Sequence, residues 1–283
     1  MGEALDAVAR LAVLVFVVAS MSAAGLGLTV AAVVAPLRRI RLVAGALVAN
    51  FLIAPALAFG LTRVVPLSEA HAAGLILLGG AAGAPFLPRL AAAARGDVAF
   101  SVGLMLLLMV GSVVFLPVAL PQMIPGVEAD PWPLLRPLLL TMLLPLAVGM
   151  AVRRWAAARA ELVRPTVERV ATVSMVGAVL LLVGLNAGPM IGTLGSGAVV
   201  SAVAFVTLSA AFGFALGGPA WKTRAVLGVG TGQRNVAAAL VIATQNFTDP
   251  EVVVMLLVST FAGLAVLLAA ARVWSDPPPG ENP

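Results

Sequence analysis

The sequence predicts an all-α polytopic membrane protein with about nine transmembrane helices. Three observations predict it. Only 10% of the 283 residues are charged and 61% are apolar, where a soluble domain carries about 25% charged residues. Mean hydropathy is +1.11, so water is not the main solvent of this chain. Apolar stretches of about 20 residues recur from end to end, each long enough as a helix to cross a hydrocarbon core of about 30 Å.

Breaking the chain at its charged and proline-rich clusters places spans near 8–35, 42–64, 71–95, 98–120, 132–152, 166–187, 191–216, 223–247 and 251–272. The opening MGEALDAVAR lacks a basic n-region and a small-residue cleavage site, so the first apolar run reads as a span and not as a removable signal. The odd-numbered connections carry Arg38, Arg39, Arg41, Arg95, Arg153, Arg154, Arg159, Arg164, Lys222 and Arg224. The even-numbered ones hold Arg63, Glu69, Glu128, Asp130, Asp249 and Glu251. Basic residues collect in cytoplasmic loops. The expectation is therefore a multi-pass protein of the cell (inner) membrane with its N-terminus outside and its C-terminus cytoplasmic. Trp132 and Trp155 flank the fifth span and Trp221 and Trp274 sit at other predicted ends, where an amphipathic indole prefers the headgroup layer. The remainder, 274–283 with its PPPGENP, reads as a disordered cytoplasmic tail.

Composition removes several function classes. There is no cysteine and one histidine, His71, which excludes disulfides, thiolate nucleophiles and multi-histidine metal sites. The net charge of +5 reports orientation and not nucleic-acid binding. All 12 acidic residues fall at predicted helix ends or loops, so no carboxylate lies mid-span to hold Na⁺ or carry a proton. An intramembrane enzyme would need paired aspartates, a serine-histidine pair or a metal cluster within the spans; the expectation is no enzyme and no cofactor.

The third and eighth spans stand apart. LILLGGAAGAPFLPRLAAAARGD holds Gly79, Gly80, Gly83, Pro85, Pro88 and Arg89; AVLGVGTGQRNVAAALVIATQNF holds Gly228, Gly230 and Gly232, then Gln233, Arg234 and Asn235. Proline removes a donor and clashes with the preceding turn, and each glycine weakens a helix by about 1 kcal/mol. Irregular backbone at membrane depth is tolerated where it is buried in protein or lines a wet cavity, and two interrupted helices point to a transporter site. Arg234 strengthens that reading, because a mid-bilayer arginine costs about 2.5–3.5 kcal/mol unless a partner or cavity receives it. Arg89 lies near enough to Arg95 to snorkel toward the cytoplasmic surface. Asn50, Gln233 and Asn235 are candidate site residues, with Asn186, Ser174, Thr141 and Ser112 as weaker candidates for the pathway.

In these stretches the chain resembles the bile acid:sodium symporter superfamily. GLGLTV at 25–30, ANFLIAP at 49–55, ARGDVAFSV at 94–102 and GTGQRNVAAAL at 230–240 fall in that family's order. The resemblance implies one transmembrane domain, 1–273, of two inverted repeats, 1–124 and 125–273, each contributing one broken helix, with the breaks crossing at the substrate and ion sites. Nine spans resemble the shorter branch of the family. In sodium-coupled members, the resemblance implies, a serine-asparagine pair follows the first break, a serine and a threonine on the next helix complete one ion site, and a glutamate opens the second break. Here Leu87 and Pro88 stand at the pair, Ser101 keeps the serine, Met105 replaces the threonine and Gly230 replaces the glutamate. The second implied sodium site corresponds to Asn50, Thr231 and Gln233, followed by Arg234, whose charge repels a cation.

The leading expectation is thus a secondary transporter of a small organic anion in the lipid bilayer, in which Arg234, with Arg89, supplies a tethered positive charge and a guanidinium able to grip a carboxylate or sulfate. The half-helix starting near Gln233 would add the positive field of its N-terminus. Other readings are a sodium symporter using backbone carbonyls with Asn50, Ser101 and Gln233, and a channel or non-transporting receptor.

Overall fold

A computed structural model describes residues 2–276 apart from 125, 126, 128, 129 and 194. Glu128, the boundary between the expected repeats at 125 and the tail beyond 276 therefore lie outside the described residues. The chain is helical throughout: α1 (Gly2–Gly27), α2 (Val30–Leu37), α3 (Ile40–Val48), a π-turn (Ala49–Ile53), α4 (Ala54–Val64), α5 (Glu69–Gly80), α6 (Leu87–Ala93), α7 (Val98–Met123), α8 (Trp132–Leu138), a second π-turn (Leu139–Leu143), α9 (Leu144–Trp155), α10 (Ala157–Gly192), α11 (Gly197–Leu216), α12 (Trp221–Gly232), α13 (Val236–Asn246) and α14 (Glu251–Trp274). Among the described residues there is no strand.

Eight segments among the described residues are long and apolar enough to cross a membrane, one of them, Trp221–Asn246, made of the two helices α12 and α13. The expected third span, 71–95, is not one of them, because a longer non-helical interval separates α5 from the short α6. Outward-facing Leu11, Val114, Val118, Leu180 and Val200 are all exposed, an inversion of soluble packing that suits a lipid solvent. Within an 18-residue apolar stretch of Trp221–Asn246, 89% is buried, against 22% for the corresponding stretch of Ala157–Gly192. The former is the centre of the bundle and the latter its rim.

Two elements depart from the expected spans. The first span, expected as one helix over 8–35, divides at Leu28 and Thr29. The Thr29 hydroxyl accepts from Ala32 N at 3.2 Å, starting α2 in the way an N-cap threonine does. The sixth, expected over 166–187, is the 36-residue α10, roughly 54 Å long at 1.5 Å per residue. Arg159 and Arg164 therefore belong to a helix longer than a hydrocarbon core of about 30 Å requires, not to a connection.

Local chemistry explains the starts. Ser68 accepts from His71 N at 3.2 Å and Asp97 from Phe100 N at 2.9 Å, satisfying donors that a helix N-terminus leaves open. Both π-turns end two residues before a proline, Pro55 and Pro145. A proline ring clashes with the carbonyl four residues back, and widening the turn ahead of it accommodates the ring without breaking the span.

The helices form two packed groups. α1 lies against α9 and α10, and a Cβ on Gly25 would run into the Leu146 carbonyl and Gly149. In the other group α11 packs on α12 and α14, and α5 on α4 and α14. Gly213 and Gly217 bring α11 against Leu227, Thr231 and the Arg224 backbone. Small residues permit such close approach where lipid supplies no hydrophobic drive between helices. Trp274, placed in the tail by the sequence, ends α14, stacks on Phe214 at 4.7 Å and accepts the Trp221 indole N–H at 2.7 Å through its carbonyl.

Candidate functional site

Helical hydrogen bonding stops at Gly80 and resumes at Leu87. The exposed main-chain groups of that interval need partners inside the bundle. Ser112 on α7 supplies one: its hydroxyl accepts from Ala82 N at 2.7 Å and lies 3.0 Å from the Ala82 carbonyl. Gly83 has φ +79° and sits so tightly on the Met109 backbone that no Cβ fits, so only glycine serves there.

A second interval, Gln233 to Asn235, separates α12 from α13. It meets the first directly. Asn235 N donates to the Ala81 carbonyl at 2.7 Å, its side-chain Nδ2 to the Gly83 carbonyl at 3.3 Å, and its Oδ1 caps α13 by accepting from Ala238 N at 3.1 Å.

Arg234 lies at the contact and is 4% exposed. Its Nε donates to the Leu78 carbonyl at 3.0 Å and one terminal nitrogen to the Gly79 carbonyl at 2.5 Å. The other terminal nitrogen donates to Asn50 Oδ1 at 2.8 Å and to the Thr231 carbonyl at 3.2 Å. Leu78 and Gly79 belong to the last turn of α5 and Thr231 to the last turn of α12. The last-turn carbonyls carry the negative end of each helix dipole, equivalent to about half an elementary charge, and that of Leu78 also accepts from Ala81 N at 3.1 Å. One guanidinium thus satisfies two helix C-termini at once. No carboxylate among the described residues pairs with it.

Asn50 is held for this task by the first π-turn. Its Nδ2 donates to the Ala46 carbonyl at 3.0 Å and to Thr231 Oγ1 at 3.1 Å, which turns Oδ1 toward Arg234. Arg234, Asn235, Thr231 and Asn50 therefore form one buried network. Gln233 adjoins it half-buried, and its side-chain oxygen is enclosed with no partner among the described residues. It is the network's open polar group.

The other two candidates lie apart. Ser101 is buried and donates to the Val98 carbonyl of its own helix at 2.7 Å. Arg89 is exposed, sits 5.7 Å over the Phe86 ring, and faces a crevice against α10. Among the weaker pathway candidates, Thr141 and Asn186 bond carbonyls of their own helices at 2.8 Å, whereas Ser112 serves the first interval. Arg169, which shares the crevice with Arg89, escaped the sequence reading. Its signal was a helical face, Pro165, Arg169 and Thr172 at spacings of four and three.

The sodium sites implied by the resemblance can be tested against these side chains. At the first, Leu87 is fully buried, and both of its methyl carbons would lie 3.3 Å from a Cβ on Gly230. Apolar carbon fills the space that the serine-asparagine pair and the glutamate would occupy. At the second, the Asn50 and Thr231 oxygens already receive the guanidinium, and a further cation about 4 Å away would be repelled by about 4 kcal/mol at an effective dielectric of 20. The residues present do not fit a sodium ion at either position.

The described residues thus form a helical bundle with a lipid-suited exterior and a buried polar network where two helix interruptions touch. Residues 12–193 match the model of the Sodium Bile acid symporter family, and the chain belongs to that family. The match ends before the second interruption. No curated protein matches the chain.

Proposed function

We propose that the protein is a secondary transporter of a small organic anion, operating by alternating access as two inverted repeats, with its N-terminus outside the cell and its C-terminus in the cytoplasm. The caged guanidinium of Arg234 carries this reading. It places a permanent positive charge, with no carboxylate in contact among the described residues, at the meeting of two helix interruptions. Four hydrogen bonds occupy most of its five N–H donors, so Arg234 attracts an anion by its field and by its single remaining N–H. Gln233 offers the adjacent amide, whose orientation can present either its oxygen or its NH₂ group. In this reading Arg234 stands in for a coupling cation, and the cycle is that of a uniporter or exchanger.

Family membership favours a second reading, sodium-coupled symport of an organic anion, using main-chain carbonyls with Asn50, Ser101 and Gln233. Thermal unfolding of the purified protein separates the two. A panel of aliphatic and aromatic carboxylates, sulfonates and sulfates is titrated in Na⁺ and in K⁺. Stabilisation by an anion that is equal in both salts is the expected result. Stabilisation restricted to Na⁺ establishes the second reading instead.

A further inference from the structure

The short helix α6 joins two environments. On one side Leu87 packs toward Gly230 beside the Arg234 network. Two residues on, about 200° around a helix, Arg89 points the opposite way into a crevice of 350 Å³ whose other lining residues, Pro165, Glu168, Arg169, Thr172 and Val173, all belong to α10. The crevice lies between α6 and α10.

Its electrostatics are lopsided. Glu168 is the one carboxylate in the lining, and it is already engaged by Arg164 Nε at 2.7 Å. Arg89 and Arg169 have no acidic partner among the described residues. Two guanidinium groups from two elements thus face one open crevice with a net positive balance, and Pro165 and Val173 are its apolar lining residues. Arginines so placed favour oxyanions, which they can bind with paired N–H donors.

We infer that this crevice is a second anion site, separate from the Arg234 network, which takes a carboxylate, sulfonate or phosphate group carried on an apolar body, with Arg89 and Arg169 as its ligands. The inference leans on the transport reading only in the choice of an anion. Two sources present this chemistry, a soluble organic anion approaching the transport path and the headgroup of an anionic lipid at the bundle rim.

The test measures thermal unfolding in a neutral maltoside detergent. One arm titrates hexanoate and hexanesulfonate, with hexanol as the neutral control; the other adds phosphatidylglycerol, with phosphatidylcholine as control. Wild type, Arg89→Gln, Arg169→Gln and, as an arginine elsewhere on the surface, Arg63→Gln are compared. All three arginines are exposed, so unliganded melting temperatures should agree. The expected result is a rise of at least about 2 °C with anion in wild type and Arg63→Gln, absent with the neutral controls, lost in Arg89→Gln and Arg169→Gln, and reduced by salt. A shift in the first arm alone identifies a vestibule for soluble anions; one in the second alone, a lipid seat. Equal shifts in all four proteins overturn the crevice site while leaving anion transport standing. No shift in wild type from either arm overturns the crevice site and, for the soluble anions, counts against the transport reading as well.

Discussion

Arg234 and Asn50, 184 residues apart in sequence, meet at 2.8 Å in the interior of the bundle. The contact ties the first π-turn to the interval between α12 and α13, and through the same guanidinium to the end of α5. Mutations along this chain of contacts separate structural from electrostatic roles.

Arg234→Ala removes the donor to three main-chain carbonyls and one amide oxygen. The Leu78 carbonyl keeps its bond from Ala81 N, but buried acceptors left unpaired cost about 1–3 kcal/mol each, so the variant should melt several degrees below wild type. The vacated oxygens then resemble an alkali-cation cage. Sodium in place of potassium should raise the melting temperature of Arg234→Ala and leave wild type unchanged; a wild-type protein equally responsive to Na⁺ sinks the idea of a tethered cation.

Asn50→Asp keeps an acceptor facing Arg234 and turns a charge–dipole contact into an ion pair, at the loss of the Nδ2 donations to the Ala46 carbonyl and Thr231 Oγ1. The fold should survive. Its added negative charge neutralises the field at the network, so the affinity of any anion that stabilises wild type should fall at least about 10-fold, or roughly 1.4 kcal/mol. Unchanged anion affinity in a folded Asn50→Asp protein argues that the Arg234 charge is not what the substrate senses.

Gly83→Ala and Gly230→Ala should differ sharply. The first places a Cβ at φ +79° against the rigid Met109 backbone, which should cost about 2 kcal/mol or more. The second meets only the movable methyl ends of Leu87 at 3.3 Å, and its cost should stay within about 1 kcal/mol. Melting temperatures of the paired variants check this.

Ser112→Ala should destabilise by about 1–3 kcal/mol, because the Ala82 N–H loses its buried partner. Ser101→Ala removes a hydroxyl bonded to its own helix and should change stability by about 0.5 kcal/mol or less. If Ser101→Ala instead abolishes anion-dependent or Na⁺-dependent stabilisation, Ser101 is an ion-site residue, as the sodium-coupled reading requires.

Membrane class and most span positions were legible in the sequence, because a hydrocarbon solvent demands long apolar runs and allows few charges, and both are properties of composition. Glycine and proline density likewise marked the intervals at 81–86 and 233–235, since those residues act on their own backbone. The sequence also singled out Arg234, because an arginine within an apolar run is costly anywhere in the bilayer. Its partners were another matter. The Leu78, Gly79 and Thr231 oxygens that receive it are main-chain atoms with no residue signature, so only the fold could bring two helix ends to one side chain. The same holds for Arg89, which sequence grouped with Arg234 and the structure turns toward Arg169 on the far face of α6, and for Leu87, whose burial over Gly230 depends on how two distant segments pack. Local chemistry set where the chain bends; tertiary packing decided which atoms the bends present to one another.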